Sequence, residues 1–135
     1  NSRLILNLQN HSKNSEHPYQ MKTYNELIKK LRIFRQERNW EKFHKPKDLA
    51  MAAAIEAAEL MQEFLWKSEE EVTAKIKADK AKIADEIADT VVYLMLLADD
   101  LEIDMYEAIE NKMQKNAAKY PVEKCHGRAT KYTEL

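Results

Sequence analysis

Met51-Ala-Ala-Ala-Ile-Glu-Ala-Ala-Glu-Leu-Met-Gln-Glu-Phe-Leu-Trp66 and Ile83-Ala-Asp-Glu-Ile-Ala-Asp-Thr-Val-Val-Tyr-Leu-Met-Leu-Leu-Ala98 decide the fold of this chain. Both stretches are too long and too rich in Ala, Leu and Met for strands, and both read as helices apolar on most of their circumference. Each carries an acid pair spaced i, i+3: Glu56 with Glu59, and Glu86 with Asp89. On a helix that spacing sets two carboxylates side by side. Ionised carboxylates close to a core are costly unless a cation is near. Glu56 and Glu59 have no basic residue one turn away, since those positions hold Ala52, Ala53, Ile55, Leu60, Gln62 and Glu63. Helix three repeats the crowding with Asp85 and is relieved only by Lys82. The alternative is a set of ordinary surface acids paired with lysines. Four acids on two apolar helices instead favour a divalent metal.

Working outward, the spacing predicts further helices on either side. Residues 23–39 form the first, capped by Thr23 with Glu26 three residues on, and Leu27, Ile28, Leu31, Phe34 and Arg35 follow its period. A loop from Asn39 to Asp48 carries Trp40, Phe43, His44 and Pro46, and the second helix runs from about Lys47 to Trp66. Ser68 caps a short acidic-started helix that ends near Lys77. The third long helix spans about Asp79 to Leu101, and Asp104 caps a fourth that Pro121 stops. One glycine and three prolines in 135 residues fit an all-α chain of the four-helix-bundle type. Helices two and three carry more apolar surface than this chain can cover, so subunits of a homo-oligomer are expected to share one core.

Residues 1–20 differ in composition, and Met21 is a plausible natural start. They read as a leader or appended segment, residues 21–121 as the functional domain and 122–135 as a loosely ordered tail. The net charge of −1 gives no reason to expect a nucleic acid polymer or an anionic membrane as partner. The longest apolar run, Thr90 to Ala98, is too short to span a bilayer. The single cysteine, Cys125, excludes an intrachain disulfide and fits a cytoplasmic setting.

The ligand chemistry is all oxygen. His11, His17, His44 and His126 lie outside helices two and three, which argues against a di-iron bundle or a zinc hydrolase. Carboxylates of this kind suit Mg²⁺, with Mn²⁺ as a possible substitute, and Mg²⁺ so held completes its shell with waters and substrate phosphates. Trp40 and Trp66 flank the acidic helix. They either pack the core or form a stacking platform for a base, with His44 in the same loop. Tyr93, one turn beyond Asp89, either fills the core or hydrogen-bonds a ligand. Lys112, Asn116 and Lys119 are helically spaced, and either meet phosphates or make a solvated basic helix end.

With these residues in view, the chain resembles the MazG-like all-α nucleoside triphosphate pyrophosphohydrolases, in their dCTP pyrophosphatase branch. The resemblance rests on Glu56-x-x-Glu59 with Glu86-x-x-Asp89, on Phe34-Arg-Gln-Glu-Arg-Asn-Trp40, on Phe43-His44-Lys-Pro46, and on Leu-Trp66, Tyr93-Leu94 and Asn116-x-x-Lys119-Tyr-Pro121. It covers about residues 22–121. It implies Mg²⁺ on Glu56, Glu59, Glu86 and Asp89, and cleavage of a nucleoside triphosphate to monophosphate and pyrophosphate, with dCTP or other deoxynucleotides preferred. It implies a base pocket of Trp40, His44 and Trp66, and phosphate or sugar contacts from Tyr93, Lys112 and Asn116. Position 62 is Gln and the further acid is Glu63, which leaves Glu63 either a ligand or, like Lys119, a group standing behind the ligands. Two other readings remain at this point: an inactive helical interaction module, and a Mg²⁺-dependent hydrolase of a non-nucleotide pyrophosphate.

Overall fold

A computed structural model describes residues 23–134. The reading of residues 1–20, with the possible start at Met21, lies outside the described residues. Among those described there is no strand. Six α-helices follow one another: α1 (Tyr24–Glu37), α2 (Pro46–Gln62), α3 (Glu69–Ala78), α4 (Lys80–Asp100), α5 (Met105–Lys119) and α6 (Val122–Cys125), with a short 3₁₀ turn at Tyr132–Glu134.

Local chemistry sets the helix ends. Thr23 accepts from the Glu26 amide (3.3 Å) while the Glu26 carboxylate accepts from the Thr23 amide (2.8 Å), and Ser68 and Glu71 repeat this reciprocal cap at the start of α3. Pro46 occupies the first turn of α2, where its missing N–H is no loss. The Asp104 carboxylate accepts from the Glu107 amide (3.0 Å) and starts α5. The tail is not without structure: α6 follows Pro121, and Tyr132 returns to meet Tyr120 edge-on at 5.8 Å.

α4 is the central element. α2 lies along it, and α1 and α3 pack on it. The buried apolar side chains are few: Ile28 from α1, Leu49 and Ala53 from α2, and Ile83, Met95, Leu96 and Ala98 from α4. Two bidentate arginine–carboxylate pairs tie α1 to the end of α4, Arg32 to Asp99 and Arg35 to Asp100. Near the start of α5, Met105, Tyr106 and Ile109 share a groove with Val91 and Met95. No residue of α5 is buried. Ile55, Met61, Ile87, Val91, Leu94 and Met113 remain exposed, far more apolar surface than a lone chain normally leaves open.

Glu63 closes the α2–α3–α4 corner. Its carboxylate, nearly shut off from solvent, meets the Lys82 ammonium at 2.6 Å and the Lys75 ammonium at 2.9 Å. The Lys82 ammonium, and then that of Lys75, pull its pKa from the ordinary 4.5 down to about 2. A depressed carboxylate value means stability that is present above the ordinary value and lost as the pH falls through the folded one. Glu63→Gln is therefore expected to melt lower than the parent at neutral pH. That difference should shrink between about pH 4.5 and pH 2, as melting curves across the acid range would show.

Candidate active site

The functional side chains are positioned by one turn and one helix face. α1 ends at Arg38, and Asn39 adopts a left-handed backbone (φ 52°), which asparagine tolerates better than most residues. The turn folds the chain back, so that the Trp40 amide donates to the Arg35 carbonyl (3.1 Å) and the His44 amide donates to the Trp40 carbonyl (3.0 Å). A run of rings results. Phe34 meets Trp40 edge-on at 5.8 Å, Trp40 meets His44 at 5.8 Å, and His44 meets Tyr93 of α4 edge-on at 6.2 Å. The Arg38 guanidinium sits 3.6 Å from the centre of the Phe34 ring, over its face.

These rings wall a cavity of about 410 Å³ between α1, the loop, α2 and α4. That is the size of an ordinary small-molecule site. Trp40, His44 and Tyr93 line it together with Glu56 and Asp89. On α4, Asp89, Tyr93, Leu96 and Asp100 fall on one stripe, and at 1.5 Å per residue Asp89 lies about 10 Å along the axis from Leu96. The cavity therefore has an acidic end at Asp89 and a ring-lined end toward Asp100.

At the acidic end, carboxylate oxygens of Glu56, Glu86 and Asp89 come within 4.8 Å of one another. Burial raises the Glu56 pKa above its ordinary value, and the negative charges of Glu59, Asp89 and Glu86 raise it further. Three carboxylates so crowded repel unless a proton or a cation stands between them. An all-oxygen set of this kind suits a hard divalent cation. Glu59, one turn along α2, is exposed and its oxygens are outside this group of three.

At the other end, burial lowers the His44 pKa, and the Arg35 guanidinium lowers it further. Its Nδ1 is buried without a hydrogen-bond partner among the described residues.

Not every expected site residue joins this cavity. Glu63 is taken up by Lys75 and Lys82. Trp66 follows α2 in a left-handed backbone (φ 61°) and is 93% exposed on this chain. Lys112 and Asn116 are exposed on α5 and do not line the cavity. The Lys119 ammonium lies 5.0 Å over the Tyr132 ring. Conversely, Leu31, Phe34, Arg35, Val92 and Leu96 line the cavity without having been singled out for it. Arg35 did leave a signal, an arginine on the apolar stripe of α1.

The family model described as the MazG-like family matches residues 51–135. The chain is 38% identical over 104 residues to dCTP pyrophosphatase 1 of Mus musculus and 35% identical to that of Homo sapiens. Each match takes in 76% of this chain, which spans only 61% of the length of those two mammalian proteins. The crystal structure of a pyrophosphatase from Archaeoglobus fulgidus superposes with a TM-score of 0.69 at 42% identity, over 81% of this chain and 99% of that one. All-α architecture, paired acids on adjacent helices and the extent of these matches lead to one assignment: the chain belongs to the MazG-like family.

Proposed function

We propose that this protein is a Mg²⁺-dependent nucleoside triphosphate pyrophosphohydrolase that converts deoxynucleotides such as dCTP to the monophosphate and pyrophosphate, clearing surplus or non-standard nucleotides from the cytoplasm. The observation that carries the reading is the convergence of Glu56, Glu86 and Asp89 at one end of a cavity whose other end is lined by rings. A nucleotide has the same polarity, with anionic phosphates at one end and a flat base at the other. The relatives named dCTP pyrophosphatase and pyrophosphatase support the same substrate chemistry.

Glu56, Glu86 and Asp89 would hold the metal, with Glu59 beside them on α2. Bound there, Mg²⁺, or Mn²⁺ in its place, supplies positive charge to the phosphates and a more acidic water. The reaction breaks the bond between the α-phosphorus and the oxygen bridging to the β-phosphate. Water adds its oxygen to the α-phosphorus and pyrophosphate leaves. Trp40 and His44 hold the base, and Tyr93, between them and Asp89, holds the sugar.

Lys112, Asn116 and Trp66 stand away from their own chain's cavity, and the open apolar faces of α2, α4 and α5 need cover. A homo-oligomer, a tetramer in preference to a dimer, would cover those faces and bring these side chains toward a neighbouring site. No helix among the described residues is long and apolar enough to cross a membrane.

Trp40→Ala tests the base end. Base stacking on an aromatic ring is worth roughly 1–3 kcal/mol in nucleic-acid binders. The variant should raise KM for the nucleotide about tenfold and leave metal affinity unchanged. A variant with the parent's KM and the parent's choice among bases would show that Trp40 packs the protein and not the substrate.

A further inference from the structure

We propose that Glu63 is a positioning residue for the metal site: it holds the Lys82 ammonium off the carboxylates of Glu56, Glu86 and Asp89, and so keeps them open to a divalent cation. This rests on the metal reading of that cluster.

Lys82 stands one turn before Glu86 and two turns before Asp89 on α4. At about 100° per residue it shares the stripe of Asp89 and lies about 40° from Glu86. Glu63 shares the stripe of Glu56 on α2 in the same way. α2 and α4 lie along one another, so the Glu63–Lys82 contact and the acid cluster occupy one seam between the two helices. Along α4 the step from Lys82 to Glu86 is only about 6 Å.

Three crowded carboxylates are a ready partner for a lysine at that distance, and lysine to glutamate at i, i+4 is an ordinary helical pair. Such a pair would set an ammonium where the cation belongs. Instead, Lys82 reaches across to α2 and meets Glu63 at 2.6 Å. Among the described residues no ion pair takes up Glu56, Glu86 or Asp89. Glu63 is only 8% exposed, and a carboxylate so buried is costly unless cations meet it. The second cation there, Lys75, is 2.9 Å from Glu63 but also 2.7 Å from Asp79. Loss of the Glu63 charge therefore leaves Lys75 paired and sets Lys82 free. The acids within one turn of Lys82 on its own chain segment are Asp79, Asp85 and Glu86. Asp79 is held by Lys75, and Asp85 is exposed and outside the cluster. Glu86 meets Glu56 of α2, the helix toward which Lys82 already points. A freed Lys82 then competes with the metal for Glu86.

Binding of Mn²⁺ to the nucleotide-free protein, read from the electron paramagnetic resonance signal of the free ion, tests this in a double-mutant cycle. Glu63→Gln should weaken binding about tenfold, the scale typical of groups that support metal ligands. Lys82→Met alone should stay within about twofold of the parent, because Glu63 already holds that charge away. Glu63→Gln/Lys82→Met should return to within about twofold of the parent. Removing Lys82 thus matters only once Glu63 is gone. A Glu63 that acted through its charge at a distance, or only by holding the corner together, would show no such dependence. The same factor for Lys82→Met in both backgrounds overturns the role. Glu63→Asp keeps the charge but shortens the reach, and it carries the test if Glu63→Gln does not fold: a smaller loss, again undone by Lys82→Met, is expected. A parent that binds no Mn²⁺ sinks the metal reading and this role together, whereas a parent that binds it with independent effects of the two changes sinks the role of Glu63 alone.

Discussion

Asp89→Asn is expected to lower turnover at least about 100-fold, since groups standing behind metal ligands already cost 10–100-fold and a ligand costs more. Glu56→Gln should do the same. Neither loss should come from unfolding. Glu56, Glu86 and Asp89 are crowded within 4.8 Å, and the raised Glu56 pKa reflects burial and the neighbouring negative charges. A carboxyl whose folded value lies above the ordinary one favours the fold below the carboxylate range, and that contribution is lost as the pH rises through it. At neutral pH and without metal, taking one charge out of the cluster therefore relieves repulsion. Melting of metal-free Asp89→Asn should match or exceed that of the parent, and adding Mg²⁺ should raise the parent's melting temperature but not the variant's. Near-normal turnover in the variant would remove Asp89 from the ligand set.

Leu49→Ala should give the largest loss of stability among single core changes. Leu49 is 1% exposed on α2. Removing a fully buried leucine costs about 2–5 kcal/mol, and in a domain of this size that lowers the melting temperature by roughly 10 °C or more. Ile55→Ala on the same helix is the informative companion. Ile55 is 57% exposed on this chain. In a lone chain its truncation should stay within about 0.5 kcal/mol, like other surface changes. If a second copy covers that face, the cost rises toward the Leu49 value and the melting temperature depends on protein concentration. A small Ile55 effect with concentration-independent melting would contradict the oligomer.

Caps, breaks and periods are local, and the helices they define are legible in the residues. Thr23 with Glu26, Ser68 with Glu71, Asp104 and Pro121 mark their elements within one or two positions of where the structure has them. What the sequence does not hold is the rotation of one helix against the next. Residues three apart on a helix point about 60° apart, so Glu56 turns toward Glu86 and Asp89 while Glu59 turns toward solvent. Glu63 shares the stripe of Glu56 but sits two turns, about 10 Å, further along. There the packing of α3 and α4 brings Lys75 and Lys82 to it. Lys82, one turn before Glu86 in sequence, is drawn to Glu63 by a contact between helices that no spacing within α4 reports. Trp66, Lys112 and Asn116 carry the family pattern, yet a single chain leaves them away from its cavity.

The most direct measurement separates the products formed from a nucleoside triphosphate in Mg²⁺ by ion-exchange chromatography, with a metal-free control. Monophosphate and pyrophosphate, formed only with the metal and not by Asp89→Asn, are the predicted result. Diphosphate with orthophosphate, or no turnover of any nucleotide in the presence of Mg²⁺ or Mn²⁺, would contradict the account.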